Sequence, residues 1–548
     1  MLNLHLKYVE EKYDENGLLC EYKVKYPDDY NFGYDVVDEI AAKEPEKLAV
    51  LWTNEQGEER RFTYGDLKKY TDKTANMLRN AGIKKGDVVM LVLKRHYEFW
   101  FSIIACHKLG AVVVPATNQL MKKDYIYRFE AANVKAIICT ADGDTTEHVE
   151  QAMAETDTVK VRFVAKGSRE GWRSFTEEME AASEVFEKEN VLASDPMIMY
   201  FTSGTTGYPK MVRHDATYSL AHIMTAKHWL NVNPNGLHLT ISDTGWGKAV
   251  WGKLYGQMLM EAPIFVYDHD RFNAGTMLSL FAKYKITTFC APPTMYRFFI
   301  QEDLSKYDLS SLQYACIAGE ALNPEIFNKF YQHTGLKLME GFGQTETTCA
   351  IANLRGMTPN PGSMGKPTPQ YDVIIADDEG NEVAPGVTGE ICIRVGEKKP
   401  AGLFMGYYKN DELTASVLHD GLYHTGDTAW KDEKGYFWYV GRTDDVIKSS
   451  GYRIGPFEIE SVLMEHPSVV ECAVTGAPDP IRGQIVKATI VLAKGYEPSD
   501  ELKKELQNHV KTLTAPYKYP RLVEFVDELP KTISGKIRRV EIRNNDNK

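Results

Sequence analysis

The sequence predicts an α/β fold: a large N-terminal domain of parallel αβα sheets with a small β subdomain, followed by an α+β C-terminal domain. Three observations carry this. From Lys85 onward, short apolar strands alternate with helical stretches of about 10–15 residues, the pattern of βαβ units and a parallel sheet. After Pro361 the text changes to short alternating strands broken by Gly and Asp turns. Near Val440 it changes again, to helix, strand, turn, strand and helix. A chain of 548 residues, at about 100–200 residues per domain, has room for three or four such units.

Taken in order, "DVVMLVL" (87–93) reads as a buried strand and "HYEFWFSIIACHKLG" (96–110) as a helix closed by Gly110. "AVVVPA" (111–116) is a second strand, "KKDYIYRFEAAN" (122–133) a helix ending at Asn133, and "KAIICTA" (135–141) a third strand. The pattern resumes with "APIFVYD", "ITTFCAPP" and "LQYACIAGE". In such sheets ligands sit beyond the carboxyl ends of the strands, where Thr202–Lys210, Gly319–Glu320 and Gly341–Glu346 fall. "YDVIIADDEGNEVAPGVTGEICIRV" reads as the β subdomain. "PFEIESVLMEHPSVVECAVTGAPD" and "QIVKATIVLAKG", followed by a helix at 499–513, read as the C-terminal domain. The polar, Gly-rich "GRTDDVIKSSGYR" lies between the two parts.

Composition narrows the function classes. A net charge of −12 argues against a general nucleic-acid binder. The balance shifts in residues 511–548, where nine Lys/Arg face five Asp/Glu, a basic end suited to a small polyanion. No apolar run reaches about 18 residues, so no membrane span is expected. The eight cysteines are scattered without a C-x-x-C, so neither a zinc ribbon nor a disulfide framework is indicated. The N-terminus lacks an apolar signal core and is too acidic for a transit peptide. A cytoplasmic protein with reduced thiols is expected.

"YFTSGTTGYPKMV" (200–212) sets hydroxyls, glycines and one lysine after an apolar strand. Glycines let backbone N–H groups approach phosphate oxygens, and a lysine adds charge. The spacing is not that of a Walker loop, and taken alone the stretch is as well read as a polar turn. Its company decides the matter. "FTSGTTGYPK" (201–210), "SDTGW" (242–246), "AGEAL" (318–322), "GFGQTETT" (341–348), "YHTGD" (423–427), "GRTDDVIKSSGYRIGPFEIE" (441–460) and "PKTISGKIRR" (530–539) occur in this order. Together they resemble the adenylate-forming superfamily of acyl-CoA synthetases, peptide-synthetase adenylation domains and luciferases. The resemblance covers essentially the whole chain. "GYRIGPFEIE" and "TAPYKYPR" look most like medium-chain acyl-CoA synthetases.

The resemblance implies a two-step reaction. A carboxylate attacks the α-phosphorus of ATP to give acyl-AMP and pyrophosphate, and the thiol of coenzyme A then displaces AMP. It implies an N-terminal adenylation domain (1–440, its β subdomain about 361–440), a hinge (441–447) turning on Asp444, and a mobile C-terminal domain (448–548). Thr202, Ser203, Gly204, Thr205, Thr206, Gly207 and Lys210 would hold the β- and γ-phosphates. Glu346 would bind Mg²⁺ and Thr345 the α-phosphate. Phe342 would stack on adenine, lined by Gly319, Glu320 and Ala321, with Glu340, Gly341, Gly343 and Gln344 completing the nucleotide run. Asp427 would accept the ribose hydroxyls, as a carboxylate with two oxygens can, supported by Arg442. Arg453 would meet nucleotide phosphate in one state. Lys536 would drive adenylation from the C-terminal domain. After the domain swings, Ser450, Gly451 and Tyr452 would replace it along the pantetheine path, with Gln119, Arg482, Lys511 and Tyr519 on the coenzyme A nucleotide.

Gly343 stands where acetyl- and propionyl-specific members of the family have Trp. A glycine there is expected to leave the acyl pocket open, with Trp246 and Trp251 as the opposite wall. Each buried CH₂ then contributes up to about 0.8 kcal/mol, favouring a medium-chain, branched or aromatic acid over acetate. Two other readings stay open: a standalone adenylation enzyme loading a carrier protein, and a catalytically inactive nucleotide-binding protein on the same fold.

Overall fold

The computed structural model describes residues 1–202, 208–320, 322–450, 452–532 and 536–546, with the backbone alone at Arg453. Two large sheets form the body. The first has seven strands in the order Lys210–Asp215, Pro196–Thr202, Val112–Pro115, Val88–Val92, Val134–Thr140, Val161–Ala165 and Arg173–Ser174. All its pairings are parallel except that of the first two strands. The second has nine strands, whose parallel centre runs Leu338–Phe342, Tyr314–Ile317, Thr288–Ala291, His238–Thr240, Ile264–Asp268 and Leu48–Asn54. The expected α/β class is what the chain adopts, and the predicted strands and helices from Asp87 to Thr140 fall within a residue or two of the observed ones. Gly110 and Asn133 close their helices in the left-handed conformation.

The helix Glu98–Leu109 shows why this body has charges inside it. Every one of its residues is buried, because it lies between the first sheet and the helices Tyr64–Asn80 and Gly33–Asp38. Its polar side chains therefore need partners. Lys108 Nζ lies 2.6 Å from both Asp38 and Asp72, and His107 Nε2 is 2.8 Å from the Tyr255 hydroxyl.

A third sheet combines Asp372–Ala376, Gly389–Arg394, Leu422–Lys431, Leu418–His419 and Phe437–Arg442, all antiparallel. The last sheet, Tyr452–Ile454, Ile447–Ser449, Gly483–Leu492 and Val469–Asp479 with Leu522–Phe525 beside it, has its own apolar core around Ile459, Leu463, Ile490 and Leu506. Asp444 lies in the turn between Phe437–Arg442 and Ile447–Ser449, strands of different sheets. Across this junction Asn323 Nδ2 donates to the Ser461 carbonyl at 3.2 Å, and Tyr439 meets Phe457 edge-on at 5.9 Å. No helix among the described residues is long and apolar enough to cross a membrane. The eight cysteines are unpaired, and seven of them are buried.

Lys108→Met should lower stability by about 3–5 kcal/mol, because it leaves two buried carboxylates facing each other. Removing the exposed Lys12–Glu21 pair should cost under about 1 kcal/mol. Thermal and urea melts of the two variants check the contrast; equal losses would show that the buried triad does not stabilise the body.

Candidate active site

The phosphate-loop segment joins two antiparallel strands whose ends, Thr202 and Lys210, are paired. Ser203, Gly204, Thr205, Thr206 and Gly207 lie outside the described residues, as do Ala321 and Gly451. Lys210 does not point to open solvent. Its ammonium donates to Glu346 Oε1 at 2.7 Å and to the Tyr407 hydroxyl at 2.6 Å, and that hydroxyl donates to the same Glu346 oxygen at 2.8 Å. Glu346 is buried. Among the described residues both hydrogen bonds to its side chain fall on Oε1, so the second oxygen could meet a hard cation such as Mg²⁺, which takes one or two protein carboxylates and fills its other positions with phosphate oxygens and water.

The nucleotide run begins on Leu338–Phe342 and turns at Gly343. Gln344 serves as a two-ended spacer. Its Nε2 donates to Asp427 Oδ2 at 2.5 Å and to the Thr425 carbonyl at 2.8 Å, while its Oε1 accepts from the Tyr423 hydroxyl at 2.6 Å. The Thr345 carbonyl is 2.7 Å from His214 Nε2. Burial holds His214 near a pKa of about 4, so the ring is neutral and donates this hydrogen bond. Phe342 is half-buried against the core of the third sheet.

Asp427 owes its direction to a β-bulge. The register between Gly389–Arg394 and Leu422–Lys431 passes from Glu390↔Thr428 to Cys392↔His424, which leaves extra residues around Gly426. Bulges next to active sites commonly re-aim a side chain. Gly426 has φ of 69° and sits against the Arg442 guanidinium, where a Cβ would come within 2.6 Å. Arg442 donates to the Thr425 carbonyl at 2.9 Å and lies 3.4 Å from Asp427. Burial raises the Asp427 carboxyl above its ordinary range, opposed by Arg442 and by hydrogen bonds from Gln344 and Tyr439. Glu340 is lifted further, to about 8, by burial that only one backbone donor, Leu322 N–H, offsets.

Lys536 is exposed, one residue before Ile537, which bridges Lys531. Its charge is a minor influence on Asp427 and on Lys248. Lys248 itself, which the sequence did not single out, reaches the Ala318 carbonyl and would touch a Cβ on Gly319 at 3.2 Å. Burial, with Lys536 adding to it, holds Lys248 below the ordinary lysine range. Glu320 is exposed and accepts from Thr294 at 3.1 Å.

The coenzyme A candidates fall in separate places. Ser450, at φ of 49°, donates its N–H to the Arg482 carbonyl at 3.0 Å. Tyr452 stacks on Tyr517 at 4.1 Å with its outer face exposed. Lys511 lies 4.0 Å over the Tyr519 ring, whose hydroxyl accepts from Arg521 at 2.9 Å. Gln119 is exposed on the large body, two residues past Thr117, whose backbone packs tightly on Gly245.

The acyl-pocket expectation at Gly343 needs correction. A Cβ built there would lie 2.2 Å from the Thr348 carbonyl oxygen, a distance no real Cβ tolerates. The glycine answers a close approach of two backbone segments, and the space its side chain would enter is main chain rather than open volume. Trp246 precedes the helix Gly247–Lys253, and Trp251 on that helix is half-buried against Trp229 at 5.6 Å. Trp229 is itself buried and fills the space over Gly341.

Comparison with known proteins agrees with this geometry. Residues 37–408 match the model of the AMP-binding enzyme family and residues 458–536 that of the AMP-binding enzyme C-terminal domain. The chain is 42% identical over 533 residues to acyl-coenzyme A synthetase ACSM3, mitochondrial, of Mus musculus, covering 95% of this chain and 92% of the relative. It is 44% identical over 530 residues to acyl-coenzyme A synthetase ACSM5, mitochondrial, of Rattus norvegicus, at 95% and 91% coverage. Among solved structures, the anthranilate CoA ligase AuaEII in complex with anthranoyl-AMP superimposes with a TM-score of 0.87 at 28% identity, covering 95% of this chain and 98% of that one. A benzoate CoA ligase from Burkholderia xenovorans LB400 gives 0.81 at 26% identity, covering 94% and 100%.

Gly343→Ala should therefore lower the rate of adenylate formation more than tenfold by displacing the Gln344–Glu346 turn, whatever acid is offered. Pyrophosphate release measured with short and long acids checks this. A variant that merely shifts preference toward short acids would restore the open-floor reading.

Proposed function

The chain belongs to the AMP-binding enzyme family, as an acyl-CoA synthetase that joins a carboxylic acid to coenzyme A through an acyl-adenylate, and from that premise we propose how its residues share the work. In the first half-reaction the polyphosphate must be held while the acid carboxylate meets the α-phosphorus, and the main contributions are positional and electrostatic. Lys210 moves from Glu346 onto the phosphates, with the 203–207 loop around them. Glu346 would hold Mg²⁺, which would supply charge neutralisation for the polyphosphate. Phe342 and the 319–321 segment hold adenine, and Asp427, braced by Gln344, Tyr439 and Arg442, holds the ribose. The Thr345 hydroxyl contacts the α-phosphate, its backbone fixed by His214.

Lys536 supplies the cation at the reacting phosphate. The observation that supports this most is that Lys536 stands, exposed, in the "PKTISGKIRR" stretch that resembles the family's C-terminal motif. One such cation at 4 Å is worth about 4 kcal/mol at an effective dielectric of about 20, or about a thousandfold in rate. In the second half-reaction the C-terminal domain turns about Asp444 and brings Ser450, Gly451 and Tyr452 in place of Lys536. The sheet order supports such an exchange. Lys531, just before Lys536, is tied to Glu471 on the edge strand Val469–Asp479, whereas Tyr452–Ile454 forms the opposite edge. Arg482, Lys511, Tyr519 and Gln119 then receive the nucleotide end of coenzyme A, and Arg453 meets phosphate in one of the two states.

The acid is medium-chain, branched or aromatic. Support comes from the resemblance to medium-chain acyl-CoA synthetases and from neighbours described as anthranilate and benzoate CoA ligases. The half-buried Trp251 beside Lys248 offers an apolar wall. The scattered, unpaired thiols go with a cytoplasmic enzyme.

Lys536→Ala should abolish adenylate formation from acid and ATP while still converting supplied acyl-AMP and coenzyme A to thioester at near wild-type rate. Equal loss in both assays would sink the assigned role. On a panel of acids from acetate to octanoate, with branched and aromatic members, kcat/KM should favour the larger acids. Each well-buried CH₂ contributes up to about fourfold, and a wild-type enzyme that prefers acetate would refute the acid class.

A further inference from the structure

The two strands that form the ribose bulge also hold a group of ligating side chains with no part in acyl transfer. Glu390 and Cys392 are two residues apart on Gly389–Arg394 and so share a face of the strand. His424 is the cross-strand partner of Cys392. Its Nδ1 lies 2.9 Å from Glu390 Oε2 and 3.6 Å from Cys392 Sγ. All three ligating atoms fall within 4.8 Å of one another.

Those spacings are close to the edges of a small coordination tetrahedron. Zinc bonds of about 2.3 Å to sulfur and 2.05 Å to nitrogen, at the tetrahedral angle, set S and N about 3.5 Å apart, and N and O about 3.3 Å apart. The two spacings at His424 thus lie within a few tenths of an ångström of those values. Glu390 and His424 retain some exposure, with side chains 24% and 18% accessible, so solvent can reach a fourth position. The His419 ring stacks on His424 at 4.1 Å and 15°, which fixes the plane of the ligating imidazole.

We propose that Glu390, Cys392 and His424 form a zinc-binding site that clamps the bulge presenting Asp427. The mixture of thiolate, imidazole and carboxylate selects zinc over magnesium, whose preference for oxygen ligands suits Glu346 instead. On binding, Cys392 releases its proton to solvent, and the proton that His424 Nδ1 shares with Glu390 is carried by Nε2 instead, so that Nδ1, Glu390 Oε2 and the Cys392 thiolate are free to bond the ion. Glu390 Oε1 keeps its 2.7 Å hydrogen bond from Gly426 N–H. The ion would thus tie both strands to the root of the bulge.

The test uses the untagged full-length enzyme without nucleotide, titrated with Co²⁺ alone as the spectroscopic probe. One equivalent should produce a thiolate-to-cobalt charge-transfer band in the near ultraviolet and tetrahedral d–d bands in the visible, all abolished by Zn²⁺. Cys392→Ser should lose the charge-transfer band, and Glu390→Gln should weaken Zn²⁺ binding at least tenfold. Zn²⁺ should raise the melting temperature of the wild type and leave that of Cys392→Ser unchanged. If the buried serine unfolds the chain, Cys392→Ala and the wild-type titration still decide. Absence of the band in the wild type, its persistence without Cys392, or a zinc-independent melting temperature would each overturn the site.

Discussion

The site depends on one buried carboxylate that has to be neutralised without being used up. Glu346 is held on one oxygen by Lys210, 136 residues earlier, and by Tyr407, 61 residues later. A buried carboxylate left alone would be unstable as an anion, so these two partners are needed whenever no cation is bound. The same contacts fix the far end of the phosphate loop and draw the segment around Tyr407 against the strand Lys210–Asp215, where Val212 bridges Tyr407 and Met405 N–H donates to the Arg213 carbonyl. Three distant stretches of chain are thereby brought to one point.

From that point the geometry extends in two directions. Toward the third sheet, Gln344 connects the nucleotide turn to Asp427, and Glu390 pins the bulge that presents Asp427. Toward the last sheet, the chain passes through the turn at Asp444 into a compact unit anchored by its own ion pairs. Arg539 grips Glu460 at 2.7 Å, and Arg543 pairs with Asp445. These pairs lie on the C-terminal side of Asp444, so the last helix is tied to the unit that would move. Among the described residues the contacts across the junction include one hydrogen bond at Asn323 and one aromatic edge at Tyr439.

Much of this was legible in the sequence, and the misses have a common cause. Strands and helices of the first sheet declare themselves through apolar runs bounded by Gly and Asn. Motif residues such as Asp427 and Gln344 declare themselves because they stand in short stretches that match a family pattern. Tyr407, His214 and Lys248 act through partners between about 60 and 200 residues away, and no local pattern signals such contacts. Gly343 was misjudged for a related reason. A missing side chain in a motif suggests space, but glycine is equally the residue of close backbone approach, and only the position of the Thr348 carbonyl separates the two. Trp229 shows the converse at Gly341, where the space beside a glycine is filled by an indole.

Burial raises the carboxyls of both Asp427 and Glu340, but their partners differ. Asp427 is buried, yet Arg442, Gln344 and Tyr439 all stabilise its anion. Glu340 has one weak backbone donor at 3.3 Å, and its Oε2 has no hydrogen-bond partner among the described residues. With a pKa near 8 it is protonated at neutral pH, whereas an unfolded glutamate is ionised there. Its contribution to stability is therefore present below the unfolded pKa near 4.5 and is lost as pH rises through 8. Buried polar atoms without partners are rare in folded proteins, and keeping one beside Leu322 is a cost that packing alone does not require. A neutral carboxyl, however, can both donate and accept, as an anion cannot.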